Sequence, residues 1–169
     1  MATPAHLRER VQQLGLGHRL KTMTNNQDDA NKNSPGIIFL VDDDPDVRRA
    51  LQRLLRMANY RVETFATAEE FLSSGHSRSP GVLVLDIRLP GMNGVDLQKA
   101  LADSGSTLPI VFMTAYEDDG VRQEIMDRGA VAFLQKPVDE QTLLKAIKKA
   151  SERRRKSANN LTGISPVTS

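Results

Sequence analysis

The sequence predicts an α/β domain built on a doubly wound, five-stranded parallel sheet, and three observations carry that prediction. Four short apolar runs, Ile37 to Val41, Val82 to Leu85, Ile110 to Met113 and Val131 to Leu134, are nearly continuous and rich in β-branched or aromatic residues, as strands buried on both faces require. Segments with helical spacing of apolar residues separate them. Each run stops on or close to a reactive polar residue: Asp42-Asp43-Asp44, Asp86, Thr114 and Lys136-Pro137. In an open α/β sheet the ligand site lies beyond the carboxyl ends of the strands, so these residues from distant parts of the chain are expected at one edge.

The elements follow in order. After the first strand, Asp44 is placed to cap a helix with Pro45 in its first position, and Val47, Ala50, Leu51, Leu54, Leu55 and Ala58 mark its apolar face. Tyr60 to Thr64 alternates and is more polar, which suits an edge strand. Thr67-Ala68-Glu69-Glu70 reads as a capping box opening a short second helix. After the third strand, Asn93 caps a helix carrying Val95, Leu97, Ala100 and Leu101, and Pro109 precedes the fourth strand. The fourth helix, about Asp118 to Arg128, has a thin apolar face of Val121 and Ile125 and is ended by Gly129. A last helix from about Asp139 carries Leu143, Leu144, Ile147 and Ala150. Alternation of five strands with five helices is the pattern of a doubly wound fold.

Composition bounds the rest. A chain of 169 residues with 39% apolar content can bury one good core. One domain is expected over residues 36–155, its compact part ending near Ala150. Residues 1–35 form an N-terminal extension, disordered or loosely helical, in which Leu7, Val11 and Leu14 keep a helical spacing and Met23 offers an alternative start. The polar tail 156–169 is expected to be disordered. The net charge of +2 is small, and the basic run Arg153 to Lys156 suits a helix C-terminus, so direct DNA binding is not expected. Cysteine is absent, which excludes disulfides and Cys-ligated metals. No apolar stretch approaches the roughly 20 residues that span a bilayer, and a cytoplasmic protein is expected. The histidines, His6, His18 and His76, fall in the extension or a surface loop and are not expected to be ligands.

Three acids at strand ends pose a problem of like-charge repulsion, which a hard divalent cation resolves. Mg²⁺ takes oxygen ligands and retains waters, which fits a set without His or Cys. An ammonium (Lys136), a hydroxyl donor (Thr114) and Mg²⁺ around an oxygen nucleophile suffice for phosphoryl transfer, which is catalysed mainly by positioning and charge neutralisation. Asp86 stands alone at its strand end and is the candidate nucleophile; Asp42 and Asp43 are candidate metal organisers.

The motifs Val41-Asp42-Asp43-Asp44, Leu85-Asp86-Ile87-Arg88-Leu89-Pro90-Gly91-Met92-Asn93-Gly94, Phe112-Met113-Thr114-Ala115 and Phe133-Leu134-Gln135-Lys136-Pro137, in this order, resemble the receiver domain of two-component response regulators, of the FixJ-like kind, over about Ile37 to Ala150. The resemblance implies the flavodoxin-like strand order 2-1-3-4-5. It implies that Asp86 accepts a phosphoryl group from a histidine kinase or phosphotransfer protein, and that Mg²⁺ is held by Asp43, Asp86 and the backbone carbonyl of Arg88, with Asp42 acting through a water. Thr114 and the backbone N–H of Ala115 would then bind the phosphoryl oxygens and Lys136 would pair with them. Pro137 matches a cis peptide, and Phe133 an aromatic switch coupled to Thr114. Such a module is a phosphoacceptor that assists its own phosphorylation and dephosphorylation rather than an enzyme. Arg88 and Tyr116, two positions after Asp86 and Thr114, would flank the path of attacking water and prolong the signal. Output would pass through the face of the fourth helix, fifth strand and fifth helix, to a phosphorylation-dependent homodimer or protein partner.

Two alternatives differ in class. A haloacid-dehalogenase-type phosphatase also uses a strand-end Asp with Mg²⁺, but places a second acid two residues on, where this chain has Arg88; Asp42-x-Asp44 has the spacing but is followed by Pro45. A receiver-shaped binding module that no longer takes phosphate is the other, and the complete set of acids, hydroxyl and lysine argues against it. Since residues 151–169 are too few for a helix-turn-helix domain, the chain is expected to be either a stand-alone receiver acting by protein–protein contact or the N-terminal fragment of a DNA-binding response regulator.

Overall fold

The computed structural model describes residues 36–161. Five parallel strands, β1 (Ile37–Val41), β2 (Arg61–Phe65), β3 (Gly81–Asp86), β4 (Ile110–Thr114) and β5 (Ala132–Gln135), form one sheet in the order β2-β1-β3-β4-β5. Helices α1 (Pro45–Met57), α2 (Ala68–Ser73), α3 (Gly94–Asp103), α4 (Asp119–Asp127) and α5 (Glu140–Leu161) alternate with them. The predicted fold class and strand order are those observed.

Alternation along the strands divides the core into two. Ile38, Leu40, Val82, Val84, Val111 and Met113 pack with Leu55 of α1 and with Leu143, Ile147 and Ala150 of α5. Phe39, Val41, Leu83, Leu85 and Phe112 pack with Phe71 of α2, Leu97 and Leu101 of α3 and Ile125 of α4. Both faces of β1, β3 and β4 are thus buried, which explains their unbroken apolar runs.

The caps act as their residue types dictate. Asp44 accepts from the N–H groups of Asp46 and Val47, Asn93 from Asp96, and Asp118 from Val121. Thr67 accepts from the N–H of Glu70, but Glu70 reaches back to the N–H of Ala66 rather than to that of Thr67, a displaced capping box. Gly129, at φ +92, supplies the left-handed residue that ends α4.

Four expectations need adjustment. The edge strand β2 lies one residue later than predicted, with Tyr60 outside it. β5 begins at Ala132 and is only half-buried, because it is the other edge of the sheet. α5 continues to Leu161, past the predicted start of the tail at residue 156: Arg, Lys and Ala favour helix and no Gly or Pro interrupts residues 151–161. His76 does not sit in a plain surface loop but in a 3₁₀ turn (His76–Arg78), where its half-buried ring stacks on Phe39 at 4.8 Å and pairs with Glu63 at 2.9 Å. The expectations for residues 1–35 and 162–169 lie outside the described residues. No helix among the described residues is long and apolar enough to cross a membrane.

Candidate functional site

The parallel register brings the strand ends level. Val41 lies beside Leu85, Asp86 beside Met113, and Thr114 beside Gln135, so the residues just beyond each position converge on one edge. Oxygens of Asp42, Asp43 and Asp86 lie within 4.8 Å of one another. Lys136 closes the group: its Nζ donates to Asp42 Oδ2 at 2.5 Å and to Asp86 Oδ2 at 3.4 Å. The Lys136–Pro137 peptide is cis, and the backbone N–H of Lys136 donates to the carbonyl of Thr114 at 2.7 Å.

The three acids are not equivalent. Asp42, 2% exposed, has both oxygens engaged, one by Lys136 and the other by the N–H of Asp44 at 2.9 Å. Asp43 is exposed, and its carboxylate has no hydrogen bond or ion pair among the described residues. Asp86, 8% exposed, holds only two long contacts among the described residues, 3.3 Å from the N–H of Arg88 and 3.4 Å from Lys136. Burial raises the pKa of Asp86 above the ordinary carboxylate range and the charge of Asp42 adds to it, against the pull of Lys136 and of the Arg88 N–H. For Lys136, burial opposes the charge, but the hydrogen bond to Asp42 and the charges of Asp86 and Asp42 outweigh it and hold the pKa above the usual lysine value.

The donor set therefore fits a divalent cation. Three carboxylates face one ammonium, all donors are oxygens, and one acid is free to ligate. Asp42, with both oxygens taken, is the acid least able to ligate directly.

Thr114 is 1% exposed, and its Oγ1 accepts from the N–H of Tyr116 at 3.2 Å. The adjacent Ala115 is exposed and small, leaving the mouth of the site open on that side. Tyr116 and Arg88 meet across the mouth, the guanidinium carbon 3.4 Å from the ring centroid. Phe133 is half-buried on β5 beside Phe112 of β4, with the guanidinium of Arg122 on α4 5.5 Å from its ring.

Sequence reasoning missed three supports of this site. Arg48, one turn into α1, donates from Nη1 to the carbonyls of Asp42 at 2.6 Å and Asp43 at 3.0 Å, and so fixes the backbone of the acid pair. Glu69 on α2 accepts from the N–H of Met92 at 2.7 Å and steadies the loop after Asp86, a bond that lowers its pKa. The buried Gln98 of α3 donates to the carbonyl of Ile125 at 3.0 Å, joining α3 to α4. A buried-side Gln on an otherwise apolar helix face was the one signal in the sequence for the last of these.

The chain matches the family described as response regulator receiver domain over residues 38–148. It is 42% identical over 120 residues to nodulation protein W of Bradyrhizobium diazoefficiens, covering 71% of this chain and 53% of that protein. It is 39% identical over 122 residues to the transcriptional regulatory protein TdiR of Thauera aromatica, covering 72% and 54%. Among solved structures, the response regulator StyR superposes with a TM-score of 0.70 at 42% identity, covering 76% of this chain and 66% of that one. The structure described as FixJ-N superposes with a TM-score of 0.64 at 36% identity, covering 69% and 93%. The chain spans about half the length of the curated relatives it matches.

Proposed function

Because the chain belongs to the response regulator receiver domain family, we propose that Asp86 is its phosphoacceptor, taking a phosphoryl group from the phosphohistidine of a sensor histidine kinase or phosphotransfer protein. The observation that carries this reading is the buried, weakly bonded carboxylate of Asp86 at the centre of two further acids and one lysine. Asp43, Asp86 and the carbonyl of Arg88 would hold Mg²⁺ directly and Asp42 through water. When bound, the ion supplies the positive charge that lets the acids and an incoming phosphoryl group approach one another.

An Asp86 oxygen attacks phosphorus in line, the P–N bond to the donor imidazole breaks with its electron pair leaving on nitrogen, and a mixed anhydride forms on Asp86. Lys136, already 3.4 Å from Asp86 Oδ2, neutralises charge on the transferred group. Thr114 Oγ1, which accepts from the N–H of Tyr116, and the backbone N–H of Ala115 would bind phosphoryl oxygens. A phosphatase of the haloacid-dehalogenase type is not favoured, since Arg88 stands where that chemistry needs an acid.

Movement of Thr114 would be relayed to Phe133 and the face of α4, β5 and α5 as a two-state shift. α4 suits a mobile element: Ile125 is its one buried residue. The same reading makes the module a cytoplasmic signalling partner, with a phosphorylation-dependent homodimer or protein contact as output. Incubation with a small phosphodonor and Mg²⁺ is expected to add the mass of one phosphoryl group, and a chelator to prevent it; uptake at full rate without a divalent ion would refute the metal's role.

The stack of Arg88 on Tyr116 bears on how long the phosphate lasts. A cation–π pair at an exposed site contributes about 0.5–1 kcal/mol, enough to keep the two side chains together over the mouth most of the time. Water must pass them to reach phosphorus. Phosphorylated Arg88→Ala is expected to lose its phosphate several-fold faster than wild type, read as the decay of the phosphorylated mass. Equal decay would remove the idea, and slower decay would show that Arg88 orients water rather than excludes it.

A further inference from the structure

The opposite edge of the sheet, where β3, β4 and β5 begin, has a different character. Three cavities of about 250, 200 and 450 Å³ lie along the C-terminal half of α5. They are continuous: Ser157 lines all three, Arg154 is common to the first and second, and Arg153 to the first and third. Six basic side chains line this groove, Arg78, Arg128, Lys149, Arg153, Arg154 and Lys156, against one acid, Glu152.

Little of that charge is compensated. Arg128 pairs with Glu124 at 2.7 Å, but Arg153 and Arg78 donate only to the neutral carbonyls of Gly129 and Ser104, at 2.9 and 2.7 Å. Arg154 is half-buried and has no hydrogen bond or ion pair among the described residues, nor have Lys149 and Lys156. A partly exposed guanidinium without a counter-ion among the described residues is a ready partner for phosphate oxygens, which it meets in a two-pronged geometry.

We propose that this groove binds the phosphate backbone of duplex DNA without reading its sequence. Two features select that ligand over other anions. Among the described residues no aromatic side chain lines the groove, so these residues offer neither the stacking platform that single strands need nor the aromatic anchor typical of protein interfaces. The charges are spread along a rigid helix, Lys149 to Lys156 alone covering about 10 Å, and extend to Arg78 at the start of β3, as a row of successive phosphates requires. The groove and Asp86 lie at opposite ends of the strands, so neither reading depends on the other.

The test is anisotropy of labelled duplexes of two unrelated sequences titrated with the full chain, at roughly 50 and 200 mM salt. Both duplexes are expected to bind alike. With about five phosphates neutralised, affinity is expected to fall roughly 500-fold over that range. The exposed pair Lys149→Gln/Lys156→Gln is expected to reduce the slope of log affinity against log salt by about two, and Arg153→Gln/Arg154→Gln by about the same. No binding at the lower salt, an unchanged slope in the Lys149→Gln/Lys156→Gln variant, tighter binding of a single strand of equal length, or displacement by polyglutamate at equal charge would each overturn the proposal.

Discussion

Asp86→Asn is expected to take up no phosphoryl group from any donor and, in metal-free buffer, to melt at a higher temperature than wild type. The first outcome follows from chemistry: the amide offers no anionic oxygen to attack phosphorus, and neither of the other two acids offers the weakly held, buried carboxylate that Asp86 does. Asp42 is tied by Lys136 and the Asp44 N–H, and Asp43 is exposed and has no hydrogen bond to Lys136 among the described residues. The second follows from electrostatics. Burial, then the charge of Asp42, raise the pKa of Asp86 in the folded protein, so the folded state binds that proton more tightly than the unfolded chain does. Unfolding free energy contributed by this group therefore falls as pH rises from the ordinary carboxylate range through the raised folded value. Asparagine keeps the shape, removes the charge and loses that dependence. Melting curves across the acid range in chelator, beside mass measurements after phosphodonor treatment, read both effects. Phosphoryl uptake by Asp86→Asn would mean another acceptor, and an unchanged pH slope would mean that Asp86 is not the strained carboxylate.

The residues proposed for this chemistry were legible because each lies at the end of a strand. Asp42, Asp86 and Thr114 close apolar runs whose character is set by burial on both faces, and a parallel sheet leaves such ends nowhere to go but one edge. The strand order was not legible in that way. Nothing in the composition of β1 says that it lies between β2 and β3, and the order came from family resemblance. Arg48 was illegible for a related reason: its hold on two carbonyls depends on the angle at which α1 turns back over β1, which no local pattern encodes.

The basic edge shows the same limit from the other side. Arg153 to Lys156, seen as a run, suggests no more than the solvated end of a helix. Arg78 and Arg128 belong to other segments, and only the packing of α5 across the starts of β3, β4 and β5 sets them in one groove. The length of α5 was underestimated because Ser157, Asn159 and Asn160 are polar, although polarity without glycine or proline does not end a helix. Phosphoacceptor and groove thus occupy opposite ends of the same strands, and the five-residue length of β4 keeps them apart.

Gly94→Ala is expected to damage the phosphoacceptor from a position that bears no functional group. A Cβ at Gly94 would lie 2.4 Å from the carbonyl oxygen of Asp86 and 2.9 Å from the Cα of Ile87. Both neighbours are backbone, so no side chain can swing aside, and the N–H of Gly94 is already bonded to the Ile87 carbonyl at 2.8 Å. Either the first turn of α3 retreats or the end of β3 moves. Overpacking of this kind costs about 1–3 kcal/mol, a melting temperature lower by about 4–12 °C. If β3 moves, the Asp86 carboxylate leaves its place beside Lys136 and Asp43, and a displacement near 1 Å can cost on the order of 100-fold in rate. Gly105→Ala is the control. Its φ of +74 makes alanine unfavourable, but nothing lies within 4 Å of the added Cβ, so that variant is expected to lose stability while phosphorylating at the wild-type rate. Uptake rates at saturating phosphodonor and thermal melts of both variants separate strain at the site from strain elsewhere. A Gly94→Ala protein that is folded and phosphorylates as fast as wild type would show that the close approach of α3 to Asp86 does not position the carboxylate.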